Sequence, residues 1–198
     1  MKNILIINGH QKYDGFAEGK LTQHFIDNAE EFFQSNEMNV KHTHIDSGYE
    51  VSEEMKKFEW ADYILFQYPV YWMSVPWITK KYIDEIFSAG VGTVTYNNDG
   101  RSRSDSTKKY GSGGIMTDKK YMLSLTYNCP ESEFDNKDGF FDGLSLDEAN
   151  YAVHKVFQFC GAEAVKTYAI HDIFKSDLDI ISETNKFKNI LESNFKDK

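Results

Sequence analysis

The chain has 198 residues, 31 Asp and Glu against 22 Lys and Arg for a formal charge of −9, and is 40% hydrophobic and 15% aromatic. That length and apolar content support one domain with its own core and exclude a disordered chain, while the acidic balance is opposite in sign to a nucleic-acid-binding domain, so no nucleic-acid partner is expected. Its longest apolar runs fall far short of the roughly 20 residues that span a bilayer, and the run after Met1 is too short for a secretory signal, so no membrane span and a cytoplasmic chain are expected.

Residues 3–8 form a continuous apolar run ended by Asn-Gly, which predicts a strand buried on both faces. Leu21, Phe25, Ala29 and Phe32 recur at helical spacing and predict an amphipathic helix over about 19–35. A less buried edge strand follows at 38–45, then a short helix through Trp60 with Ser52 as its cap. Residues 61–68 read as another buried strand, stopped by Pro69. Pro76 then falls in the first turn of a helix that Ser74 can cap and Gly90 ends. A fourth strand is predicted over 120–126, a helix over 146–160 with Gly161 as a left-handed cap, a fifth strand over 164–170, and a closing helix over about 178–195.

This alternation predicts an α/β three-layer sandwich, a five-stranded parallel sheet of order 2-1-3-4-5 with helices on both faces. Ligands of such sheets bind beyond the carboxyl ends of the strands, near the point where the strand order reverses. The segments to examine are therefore 9–19, 69–76 and 128–143. The long connections 90–114 and 128–143 are suited to walling a site or reaching a second subunit.

No GxGxxG follows the first strand and no GxxxxGK[ST] occurs, which disfavours a Rossmann dehydrogenase or a kinase. The first loop still ends at a helix start, where free amides, Lys20 and Thr22 can meet a phosphate; its plain alternative is a surface turn. The third-strand segment carries Tyr68, Tyr71, Trp72 and Trp77, rings that offer a planar heterocycle stacking faces or else plug the sheet end or a dimer seam. Cys129 and Cys160 form no CxxC array, so neither a zinc site nor a disulfide framework is indicated. Neither cysteine lies in a cradle closed by Arg, as a cysteine phosphatase needs, and Cys160 reads as a core residue. His42 and His44 share a strand face but bring no third ligand, so no metal site is assigned. Arg101, Arg103, Lys108 and Lys109 can meet a 2′-phosphate or form a solvated run.

The stretches NILIING, WADYILFQYP, WMSVPWITKKYIDEIF, DGRSRSDSTKKYGSGG, KKYMLSLTYN and HKVFQFCG resemble the modulator of drug activity B family of flavodoxin-like, FAD-dependent NAD(P)H:quinone oxidoreductases over nearly the whole chain. The resemblance implies one flavodoxin-like domain over 1–198, FAD as cofactor, NADPH or NADH as electron donor, a quinone as substrate, and a homodimer whose site the partner completes. It implies flavin contacts from Ala17, Glu18, Gly19, Lys20, Leu21 and Thr22, from Pro69, Val70, Tyr71 and Trp72, from Tyr110, and from Thr126, Tyr127, Asn128 and Cys129. Phe16-Ala17-Glu18 lacks the Ser that family members commonly place there, which leaves the diphosphate to backbone amides and Lys20. Tyr71 and Tyr127 stand where Trp is common and Val70 where Gly is frequent, implying a narrower ring contact. The expected reaction is ping-pong hydride transfer through flavin N5, with backbone amides near Trp72 and over 126–128 facing the ring and Tyr110 or Tyr127 protonating the quinol. Two competing readings are a flavin-binding regulatory subunit of a membrane transporter and a one-electron flavodoxin-type carrier.

Overall fold

In β1 (Asn3–Asn8), the even-numbered Ile4 and Ile6 and the odd-numbered Leu5 and Ile7 feed two different apolar clusters, so the run has no polar face. The same alternation governs β3 (Tyr63–Pro69) and β4 (Lys120–Thr126), the other central strands. These elements come from a computed structural model, which describes residues 1–175 and 177–196. β2 (Asn39–His44) is polar but for Val40 and lies at the edge. The order is β2-β1-β3-β4 and then β5 (Glu163–Ala164), with β6 (Tyr168–Ile170) also on β4, and every pairing is parallel.

Helix α1 (Lys20–Ser35) and α6 (Ile180–Phe195) cover one face through Phe25, Ala29, Phe33, Phe187 and Leu191. The other face is covered by α2 (Val51–Trp60), α3 (Trp77–Ala89) and α5 (Tyr151–Phe159), through Phe58, Tyr82, Ile86 and Phe157. No helix among the described residues is long and apolar enough to cross a membrane.

Three details depart from the sequence reading. The expected strand over 164–170 is two short pieces, β5 (Glu163–Ala164) and β6, because the backbone of Lys166 bonds on both sides to the Asn194 side chain of α6 instead of to β4. The expected helix over 146–160 breaks at Asn150 into α4 (Leu146–Ala149) and α5. Ser52 and Ser74 are not caps: Ser52 lies inside α2, and Ser74 pairs its backbone with Tyr71, leaving Pro76 just before α3. The Ser145–Glu148 capping box that starts α4 had no counterpart in the sequence reading.

The 90–114 arm returns to α5 by backbone contact. A Cβ at Gly114 would stand 2.1 Å from the Cys160 carbonyl carbon and 2.3 Å from the Gly161 nitrogen. Gly114→Ala is expected to cost about 2–3 kcal/mol through overpacking and to lower the melting temperature by roughly 5–10 °C. An unchanged melting curve would show that the arm is not seated there.

Candidate active site

Among the described residues, the β3–α3 connection is the one place where two consecutive non-glycine residues are left-handed. Tyr71 and Ser74 exchange both backbone hydrogen bonds, at 2.9 and 3.1 Å, around a two-residue turn. Its central residues, Trp72 at φ 48° and Met73 at φ 67°, are both left-handed. Two-residue turns of this hand normally use Asn or Gly, and an L-residue there costs about 1–2 kcal/mol. The turn leaves the Trp72 side chain 95% exposed, with Trp77 65% exposed close by in sequence. Both line a largely apolar cavity of about 890 Å³ together with Tyr13, Phe16, Val70, Asn128 and Phe174, within the range of small-ligand sites.

The first loop borders this cavity through Tyr13 and Phe16 and leads into α1. Gly19, at φ 80°, precedes the helix without a side-chain cap, and no acid occupies the first turn, so the α1 amides point out unneutralised. Glu18 does not face them: its carboxylate accepts from the Gly15 amide at 2.7 Å and meets Lys12 at 3.4 Å, and both contacts hold it below the usual carboxylate range. Leu21 packs on the core, so only its backbone is available, and Lys20 is exposed at the first helical position. Ala17 gives its carbonyl to His10.

His10, buried and not assigned to the site from sequence, ties this loop together. Its Nε2 lies 3.0 Å from the Ala17 carbonyl, which can only accept, so Nε2 carries the proton and Nδ1 accepts from the Thr22 hydroxyl at 3.4 Å. Burial lowers the imidazole's pKa. The unfolded chain therefore takes up a proton near the ordinary His value of about 6.5, the folded chain only at lower pH. Stability is thus complete above about pH 6.5 and falls as the pH drops through the window below it. Urea midpoints at about pH 7.5 and pH 5.5 should show this loss, and His10→Gln should flatten it; an unaltered slope in the variant would rule His10 out as its source.

On the far side, Thr126 is buried and its carbonyl accepts from the Val70 amide at 3.0 Å, tying the two loops. Asn128 is exposed and lines the cavity. Cys129 accepts through its carbonyl from His171 Nδ1 at 3.0 Å, while burial raises its thiol pKa, which disfavours the thiolate. Pro69 ends β3 opposite Thr126, and the Tyr71 hydroxyl donates to the Gln11 carbonyl at 3.2 Å.

Several expectations need correcting. Tyr127 is 4% exposed and points into the core, its hydroxyl accepting from Asn150 at 2.9 Å, so it does not face the cavity as a proton donor. Its amide is also used, by the Ile170 carbonyl at 2.8 Å. Tyr68 is fully buried and offers no stacking face. Tyr110 lies in a different cavity of about 680 Å³ between α3 and α5, its ring 5.4 Å from Phe159, and does not meet Trp72 within one chain. Arg101 is not a free cation, because Asp99 holds its guanidinium in a two-pronged ion pair. His42 meets Glu30 at 3.3 Å.

Ile173 and Phe174, also unassigned from sequence, close one side of the cavity, with Phe174 5.7 Å from Phe16. The signal for them was topological, since the loop after the last strand opens at the same sheet edge as the other strand-end loops.

Comparison with known proteins places this geometry among relatives. A family model described as a flavodoxin-like fold matches residues 2–189. The chain is 39% identical over 174 residues to the NADPH:quinone oxidoreductase MdaB of Haemophilus influenzae, covering 88% of this chain and 90% of that one. It is 37% identical over 173 residues to an uncharacterized protein of Schizosaccharomyces pombe, covering 87% of each. Among solved structures, a putative quinone reductase from Klebsiella pneumoniae superposes with a TM-score of 0.76 at 17% identity, covering 98% of this chain and 85% of that one. General stress protein 14 of Treponema denticola, solved in complex with FMN, gives 0.66 at 16% identity, covering 98% and 97%.

Proposed function

The chain belongs to the flavodoxin-like family, and from that premise we propose that it is an NAD(P)H:quinone oxidoreductase working through a bound FAD. The observation that carries this reading is the Trp72 indole, left 95% exposed on a strained turn at the mouth of an apolar cavity. Apolar surface so displayed at a concave site is suited to a flat ligand.

The residues present fit FAD. Its diphosphate suits the uncapped start of α1, where Gly19 keeps the backbone accessible and Lys20 adds a positive charge. Its ring system suits the wall made by Pro69, Val70, Tyr71 and Trp72, with Thr126 beside Val70 and Asn128 also lining the cleft. The amides of Trp72 and Asn128 make no hydrogen bond among the described residues and are the donors for the polar edge of the ring. When bound, FAD would supply two-electron redox chemistry, taking hydride from NAD(P)H at N5 and reducing a quinone in a ping-pong cycle.

The chain's own residues orient the ring and exclude water. Tyr13, Phe16, Trp77 and Phe174 form the apolar rim that does the latter. With Tyr127 turned into the core, the single proton the quinol needs beyond the transferred hydride comes from water or from Tyr110. Tyr110 acts in the homodimer that belongs to this proposal. The α3/α5 face, with Tyr110 and Tyr151 exposed beside the second cavity, receives the other copy, and Tyr110 serves the partner's cleft.

Steady-state turnover tests the reading. The purified chain with FAD should oxidise NADPH or NADH rapidly only when a quinone is added, and a reconstituted protein without quinone-dependent turnover would defeat it.

A further inference from the structure

Asn150 stands at the break between α4 and α5 and is 4% exposed, yet its side-chain amide is fully engaged. Nδ2 donates to the Leu146 carbonyl at 2.9 Å and to the Tyr127 hydroxyl at 2.9 Å, and Oδ1 accepts from the Tyr68 hydroxyl at 3.2 Å. The amide's orientation is fixed by chemistry, since the Leu146 carbonyl can only accept and so must face the nitrogen.

The two phenols come from different strands. Tyr68 immediately precedes Pro69, Val70, Tyr71 and Trp72, and Tyr127 lies between Thr126 and Asn128. Both segments line the cavity beside Trp72 and are joined at the backbone by the bond from the Val70 amide to the Thr126 carbonyl. Both hydroxyls lie on the α3/α5 side of the sheet and take no part in lining the cavity.

We propose that Asn150 is a positioning residue for the flavin cleft: by holding Tyr68 and Tyr127 through one buried amide, it sets the spacing between the loop after β3 and the loop after β4. This rests on the flavin-binding reading above. A buried amide with three partners of fixed direction holds strand ends in register, because any shift strands a polar group without water to replace the lost bond. The arrangement also accounts for the helix break, since Asn150 leaves helical continuity to reach both phenols.

The test compares flavin affinity with stability. Asn150→Leu keeps the side chain's approximate size and removes all three bonds. It should lower the melting temperature and raise the FAD dissociation constant about tenfold, read by flavin fluorescence well below the melting point. The combination of Asn150→Leu with Tyr68→Phe and Tyr127→Phe leaves no side-chain group of the three unpaired, so its melting temperature should recover. Positioning predicts that its FAD affinity stays about tenfold weakened; a purely structural role predicts that affinity returns with stability, and that result overturns the proposal. Tyr127→Phe alone, lacking one oxygen, serves if the leucine variant does not fold: it should weaken FAD binding several-fold, and wild-type affinity would overturn the proposal. Failure of the wild-type chain to bind FAD would overturn the underlying reading and this inference together, and is distinguished by showing in the unmodified protein.

Discussion

Replacing Trp72 by glycine should make the protein more stable and a far poorer flavin binder. The indole is 95% exposed, so its removal sacrifices little packing, and φ 48° is a conformation glycine adopts without the penalty of a Cβ. Relief of that strain is worth about 1 kcal/mol, or roughly 2–4 °C in a domain of this size. Binding moves the other way. Covering one face of the indole buries roughly 100 Å² of apolar surface, about 2.5 kcal/mol at 25 cal/mol/Å², and ring stacking adds about 0.5–1.5 kcal/mol. Together these come to about 3–4 kcal/mol, so the expected loss in FAD affinity is several hundredfold, on the order of 10²–10³. Thermal melting of the unliganded protein and flavin titration check the two halves separately, and a glycine variant that bound FAD as tightly as the parent would remove Trp72 from the site.

The second large effect is expected at Gly19. Its φ of 80° is left-handed, and a Cβ there would stand 3.0 Å from His10 Cδ2, tighter than ordinary contacts allow. Gly19→Ala must therefore move either the ring or the loop, and His10 is held by the Ala17 carbonyl and the Thr22 hydroxyl. The start of α1 turns away from the diphosphate, and FAD affinity should fall by roughly ten- to a hundredfold, with about 2 kcal/mol of stability lost to backbone strain and contact. Gly15 is the internal control. It has φ 72° but a Cβ there would meet nothing within 4 Å, so Gly15→Ala should cost about 1–2 kcal/mol of stability and leave flavin affinity within about twofold. Equal loss of affinity in both variants would mean that loop strain in general, and not the start of α1, governs binding.

The parts of the fold legible in the sequence are those whose burial is continuous. β1 and β4 have the predicted bounds because both faces of each are covered, so a short run dominated by apolar residues, broken in β4 only by Ser124, marks a buried strand at that length. The misread parts depend on single polar side chains acting across the fold. Asn194 takes the backbone of Lys166 away from β4, and Asn150 breaks a helix whose apolar spacing reads as continuous. No periodicity carries such information, since both partners are distant in sequence.

The site divides similarly. Trp72 and Trp77 were legible because large rings in a strand-end loop contradict the usual polar composition of loops. Tyr68 and Tyr127 were misread because a ring's presence near a strand end does not say which sheet face it takes; both turn into the core toward Asn150. Tyr110 came from resemblance alone, and one chain does not bring it to the cleft.

A crystal structure of the chain grown with saturating FAD tests the central claim most directly. The account predicts the isoalloxazine against the Trp72 indole, between the loops that follow β3 and β4, with the diphosphate at the start of α1. FAD bound elsewhere, or a cleft without it at saturation, would contradict the account.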